Sequence, residues 1–109
     1  MNYPTDLELR LAVIKTQPEN WPNAFIFKGA ISHNNWDEHP PEYERSLDAI
    51  MPLVRQTPLQ AHNVMIALHH IFLKTEEFTR CSFEDWIGIY ATPADYCHAY
   101  LAAKGEDNV

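Results

Sequence analysis

The sequence predicts a helix-rich α+β fold, with about four helices and one or two short strands. Residues 57–60 and 92–95 each place Thr at a helix cap, Pro at the first helical position and a polar acceptor three residues on. Apolar side chains recur at helical spacing after both segments. The segment 24–32 is instead rich in aromatic and β-branched side chains, which is typical of a strand.

The first helix is predicted over 6–16, because Thr5 and Glu8 form a capping box and Pro18 disfavours helix before it. The strand 24–32 follows, with Gly29 marking a bulge or bend. A lone strand cannot leave its backbone groups unpaired, so it needs a partner in this chain or in another copy. A homodimer through 24–32 is therefore one predicted possibility.

A helix is predicted over 42–56, with Pro52 either kinking it or lying near its first turn if it starts close to Ser46. Its apolar stripe is Tyr43, Leu47, Ile50 and Val54. The next helix is predicted over 58–75. Its core face is Ala61, Val64, Leu68, Ile71 and Phe72.

The last helix is predicted over 93–104, with Cys97, Tyr100 and Leu101 facing inward and Gly105 just past its end. The segment 86–90 fits either a short strand or a helical turn.

The predicted helices 42–56, 58–75 and 93–104 should share one hydrophobic core, with Leu47, Leu68 and Leu101 all pointing into it. The 109 residues fit a single domain, 1–109, with a frayed tail at 106–109.

The net charge of −7 argues against a nucleic-acid partner, because Lys and Arg are scattered singly and form no basic face. An acidic surface suits a basic protein partner. No apolar run approaches the ~20 residues that a membrane span needs. Two cysteines without a secretion leader are typical of reduced thiols, so the sequence predicts a cytoplasmic protein.

Two segments resemble a known group of proteins. Residues 43–54 read YxxSLDAxxxLV, and residues 91–103 read ATPAxxCxAxLxA. Both are similar to segments that occur, in this order, in many small phage and prophage proteins of unknown function, some described as phage sandwich-domain proteins. The resemblance implies a mobile-element origin and a small body of helices packed on a sheet. The chain departs from the pattern at 59–72, which is predicted to be helical here, and the resemblance supplies no catalytic residue.

Histidines give the main alternative for function. His33 and His39 share a polar loop with Asp37 and Glu38, and two imidazoles with a carboxylate can hold a metal ion or a small ligand. Their spacing fits no established zinc pattern. On the helix 58–75 the histidines do not have the i, i+4 spacing of a zinc helix, so they are interpreted as surface or interface groups.

The sequence predicts no catalytic residue, no metal ligand set and no cofactor, so the protein is not expected to be an enzyme. Asp95, Cys97 and His98 suggest a nucleophile with a base, but adjacent helical residues point in different directions. The acidic pairs at 76–77 and 84–85 are most simply a solvated turn and a helix start.

Aromatic residues in connections give the candidate interaction site. Trp36 lies among polar neighbours, and Trp21 lies in a turn-rich connection. The predicted interaction residues are Trp21, Trp36, Asp37 and His39. The sequence therefore predicts a small soluble accessory protein of a phage or mobile element that binds a protein partner. Inhibition of a host or defence protein is one role predicted for this binding. The alternative is a small-ligand or metal-binding protein that uses the loop from His33 to His39.

Overall fold

Five α-helices and one β-hairpin make up the described part of the fold, which confirms the α+β class with one helix more than predicted. The computed structural model describes residues 5–34 and 38–105. A 3-10 helix, Glu76–Thr79, lies between the third and fourth α-helices. The elements in order are α1 (Asp6–Lys15), β1 (Phe25–Phe27), β2 (Ala30–Ser32), α2 (Leu47–Val54), α3 (Pro58–Leu73), α4 (Phe83–Ile89) and α5 (Pro93–Ala103).

Each α-helix begins at a hydroxyl side chain. The oxygen of the Ser or Thr before the helix accepts a hydrogen bond from the backbone N–H three residues on, which satisfies one of the donors that a helix start leaves free. These caps are Thr5, Ser46, Thr57, Ser82 and Thr92. The cap at Ser82 makes 83–89 helical, so the strand considered for 86–90 is not formed.

The segment predicted as one strand over 24–32 is a hairpin. β1 pairs antiparallel with β2, with Ile26 opposite Ile31. Lys28 and Gly29 have φ of 51° and 77°, the left-handed pair that a tight two-residue turn requires. Gly29 is therefore a turn residue rather than a bulge. The strand has its pairing partner within the chain, and a homodimer through this segment stays a prediction.

The helix predicted over 42–56 starts later, at Leu47, and ends at Val54. Residues 42–45 instead form a turn, in which the Arg45 N–H donates to the Glu42 carbonyl at 2.9 Å. The start just after Ser46 confirms the predicted alternative of a late start. Pro52 nevertheless lies inside the helix. Leu47 is 44% exposed, so its predicted place in the core is wrong.

α5 is at the centre of the core, because α1, α2 and α3 all pack against it. Leu68 and Leu101 are fully buried, as predicted, and share one hydrophobic cluster. α3 and α5 end at Leu73 and Ala103, slightly before the predicted 75 and 104. The predicted tail 106–109 lies outside the described residues. The cluster comprises Leu9, Val13, Ile14, Trp21, Tyr43, Ile50, Leu53, Val54, Val64, Leu68, Phe72, Trp86, Tyr96, Cys97, Ala99, Tyr100 and Leu101.

A buried ion pair holds the turn before α2 against α1. Arg10 Nε and Nη2 donate to Glu44 Oε1 and Oε2 at 2.9 and 2.7 Å, and the Glu44 side chain is completely buried. The hydrogen bond to Glu44 raises the pKa of Arg10 above its ordinary value. This long-range contact explains why 42–45 is a turn: the backbone bends so that Glu44 points inward.

No helix within the described ranges is both long enough and apolar enough to cross a membrane.

Candidate functional site

α3 is unusual because it carries no formal charge. Between Arg55 and Lys74 the sequence contains no Asp, Glu, Lys or Arg. A surface helix of a globular protein ordinarily places charged residues on the side away from the core. α3 therefore has an apolar inner side and an outer side whose only polar groups are amides and imidazoles.

The inner side of α3 fixes how the helix is rotated. Val64, Leu68 and Phe72 are buried, and Phe72 also joins an aromatic cluster next to α4. The Phe72 ring lies 5.7 Å from that of Phe83 and 5.5 Å from that of Trp86. Because these contacts hold one side of the helix, the opposite side must face outward.

The outward side forms a continuous row that we name the α3 face: Leu59, His62, Ile66, His69 and Leu73. The three aliphatic residues recur every seven positions, close to two helical turns, so they lie in one line. Leu59, Ile66 and Leu73 are 70%, 47% and 42% exposed. Isolated exposed leucines are ordinary, but a row of them with no charge between is typical of an interaction surface.

A groove of about 720 Å³ lies beside the α3 face, between α3 and α5. Its walls are mostly apolar, and its polar groups are one Lys, two His, one Asn and one Thr. The lining residues are Asn63, Ile66, Ala67, His70, Ile71, Lys74, Thr75, His98, Ala102 and Ala103. The described lining thus contains basic groups but no carboxylate.

The predicted interaction residues are only partly brought together. Trp21 is 6% exposed and belongs to the core, which leaves its indole little surface for a partner. The ring centroids of Trp21 and His33 are 5.3 Å apart, with the rings nearly perpendicular. His39 is exposed, and its ring centroid lies 6.2 Å from that of His33. Trp36 and Asp37 lie outside the described residues.

The two imidazoles of the predicted metal loop are therefore neighbours. Their planes are nearly perpendicular, at 81°. Across the described ranges, however, no three His, Cys, Asp or Glu side chains come together in a way that could hold a metal ion.

Burial of Cys97 argues against the nucleophilic site considered for Asp95, Cys97 and His98. Cys97 is fully buried, and desolvation, with a smaller effect of the Glu44 charge, raises the pKa of its thiol to about 12. The thiolate is the reactive form of cysteine, so this residue is a poor nucleophile near neutral pH. Asp95 accepts the Thr92 N–H at 2.9 Å and so completes the capping box of α5.

The α3 face and the groove are not among the sites predicted from the sequence. A signal for the α3 face was present: the uncharged stretch between Arg55 and Lys74 can be read directly. The groove had no such signal in the sequence. Lys74 caps α3 and His98 lies on α5, and only the packing of these two helices brings both residues to the groove.

The two segments that resemble phage and prophage proteins contribute to α2 and α5. Several of their matched residues are buried, among them Val54, Cys97 and Leu101, so these segments serve packing rather than an exposed site. The resemblance to that group stays a prediction. No protein-family model, no curated protein and no solved structure matches the chain.

Proposed function

We propose that this protein acts by binding another protein through the α3 face, without catalysis of its own. The observation that supports this proposal is that α3 exposes aliphatic side chains and contains no Asp, Glu, Lys or Arg. Fully burying an aliphatic side chain stabilises an interface by about 1.5–3 kcal/mol. Leu59, Ile66 and Leu73 together could therefore supply a central apolar anchor of the kind that dominates binding energy in protein complexes.

The partner is a different protein rather than a second copy. Each copy carries a net charge of −7, so bringing two together meets electrostatic repulsion. A partner with an apolar patch bordered by basic side chains would complement both the α3 face and the acidic remainder of the surface.

The finer parts of the proposal come from the sequence. We place the protein in the cytoplasm of its host as an accessory protein of a phage or mobile element, where it inhibits the host or defence protein that it binds. The resemblance of 43–54 and 91–103 to phage proteins supports the origin. The unpaired thiols of Cys81 and Cys97 are compatible with a reducing compartment.

Photo-crosslinking in the native cells tests the proposal. A photoreactive amino acid placed at Leu59 or Leu73 should capture the same protein in both cases. The control is the same amino acid at Leu47, which begins α2 and is about as exposed as Leu73. Crosslinks only to a second copy of the chain, or the same captured protein from Leu47, would overturn the proposal.

Binding of the purified partner gives the quantitative test. Leu59→Glu and Leu73→Lys place charges where the helix dipole favours them, at the start and end of α3, so folding should be unaffected. We expect each to weaken binding by about tenfold or more. Leu47→Glu, also at a helix start, should bind normally. Unchanged affinity in both α3 variants would contradict the proposed surface.

Metal binding by His33 and His39 is the second candidate function, and the observation that favours it is the 6.2 Å separation of their rings. Two imidazoles at this distance can ligate one transition-metal ion, with water completing the coordination. Two protein ligands are fewer than the three of catalytic zinc sites, so we expect weaker binding than at such sites.

Calorimetric titration with Zn²⁺ decides this second candidate. Binding should be lost in His39→Ala and kept in His62→Ala, a matched exposed histidine on α3. Equal binding by the two variants, or none by the unmodified protein, would exclude the site.

A further inference from the structure

We propose that the groove between α3 and α5 binds a free medium-chain fatty acid, with its carboxylate at the Lys74 end. This proposal does not depend on the protein partner of the α3 face. It rests on the size of the groove, the nature of its walls and the sign of its charged groups.

The groove has the size and the lining of a small-molecule site. Its volume of about 720 Å³ falls within the roughly 300–1,000 Å³ of ligand pockets. Ala67, Ala102 and Ala103 have small side chains that leave space between the helices, and Ile66 and Ile71 add apolar wall. A hydrocarbon chain is the ligand that such walls favour, because burying apolar surface is their main contribution to binding.

The groove residues contributed by α3 and its C-cap extend along the helix. Asn63, Ala67, His70 and Lys74 are spaced by three or four residues, so they lie along one side of the helix. At 1.5 Å per residue, the distance from Asn63 to Lys74 along the axis is about 16 Å. An extended alkyl chain of medium length matches this span.

The basic groups of the groove favour an anion. Lys74 supplies an ammonium group, and His70 and His98 add two imidazoles that can donate hydrogen bonds. Among the described lining residues there is no Asp or Glu, although the chain contains 15 acidic residues. A carboxylate beside Lys74 would gain charge-assisted hydrogen bonds without facing a like charge in the lining.

The end of α3 does not strongly oppose an anion there. The last carbonyls of a helix carry partial negative charge, which repels a carboxylate where they are free. Here the Lys74 N–H donates to the Ile71 carbonyl at 3.0 Å. The Phe72 carbonyl accepts both the Thr75 N–H at 3.0 Å and Thr75 Oγ1 at 2.7 Å. Local donors therefore satisfy these two carbonyls.

Titration with decanoate, followed by calorimetry and by amide chemical shifts, tests the proposal. Decanoate should bind and shift the amides of α3 and α5 that line the groove. Decanol, which has the same chain without the charge, should bind about tenfold more weakly. Lys74→Met should remove this preference, and Lys15→Met, at an exposed Lys on α1, should preserve it.

Filling the groove provides a second, independent variant. Ala102 is exposed at the groove wall, so Ala102→Trp should fold and should abolish decanoate binding. Decanol binding as tightly as decanoate, decanoate binding unchanged by Lys74→Met, or no shifts in the groove would each overturn the proposal. Leu59→Glu and Leu73→Lys should leave decanoate binding intact, so failure of this site is separable from failure of the α3 face.

Discussion

Cys97 shows how burial controls the chemistry of a single residue. Its thiol lies in the core on α5, and its pKa rises from 9.0 to about 12. Below pH 9 the thiol is protonated in both the folded and the unfolded chain, so it contributes no pH dependence. Above pH 9 the unfolded chain releases the proton while the folded chain keeps it, and the free energy of unfolding must fall.

We therefore expect alkaline pH to destabilise the protein through Cys97. Between about pH 9 and pH 12 the contribution of this thiol should fall by about 1.4 kcal/mol per pH unit. Denaturant unfolding at several alkaline pH values measures it, with Cys97→Ala as the comparison because that variant lacks the thiol. Parallel pH profiles for the two proteins would contradict this assignment.

The Arg10–Glu44 pair is a second residue-scale feature with a predicted effect on stability. Glu44→Ala leaves the mostly buried Arg10 guanidinium without its bidentate partner, so we expect a loss of about 3 kcal/mol in the free energy of unfolding. The control is Glu42→Ala, since Glu42 is 55% exposed and contacts the same Arg10 at 3.5 Å. That change should cost less than about 1 kcal/mol. Equal losses would mean that burial of the pair does not matter.

At the scale of single elements, the turn of the hairpin depends on Gly29. Its φ of +77° is strained for any residue with a Cβ, yet a Cβ built there meets no atom within 4 Å. The cost of Gly29→Ala should therefore come from the backbone alone, about 1 kcal/mol of destabilisation.

Gly88 is the matched control because a Cβ there also meets open space, but the residue lies within α4 and its φ is not positive. Gly88→Ala should stabilise the protein by about 0.5–1 kcal/mol, since alanine is the better helix former. Thermal unfolding of the two variants should thus shift in opposite directions. Shifts of the same sign would contradict the turn geometry.

The elements show what the sequence alone could specify. Local signals were sufficient where the determinant is local: the hydroxyl caps at Thr57 and Thr92 place the starts of α3 and α5 correctly. Local signals failed at 42–46. The apolar period continues from Tyr43 through Leu47, but the backbone bends so that Glu44 is buried against Arg10, 34 positions earlier in the chain. The hairpin was missed because Lys28 is a less typical left-handed residue than Asn or Asp.

The candidate sites were harder to predict than the elements. Burial of Trp21 depends on how the hairpin packs, which spacing along the chain does not reveal. The groove forms where α3 packs against α5, so His98 and Lys74 line the same groove only in the folded molecule. The α3 face was predictable, because a missing charge pattern is a property of the sequence.

At the scale of the whole molecule, a single hydrophobic cluster extends from Trp21 near the hairpin to Trp86 on α4. We therefore expect cooperative unfolding. Tryptophan fluorescence, which reports on packing around the indoles, and far-UV circular dichroism, which reports on helices, should give the same denaturant midpoint. Separate midpoints would mean that the α4 region or the hairpin unfolds independently of the helical core.

The central position of α5 has a consequence during biosynthesis. α1, α2 and α3 all pack against it, and it is the last of the five helices to leave the ribosome. Until then the nascent chain must display the apolar sides of three helices, including the uncharged α3, to the surrounding medium. We expect ribosome-associated chaperones to bind such a chain. Its folding is expected to begin only after translation has passed Ala103.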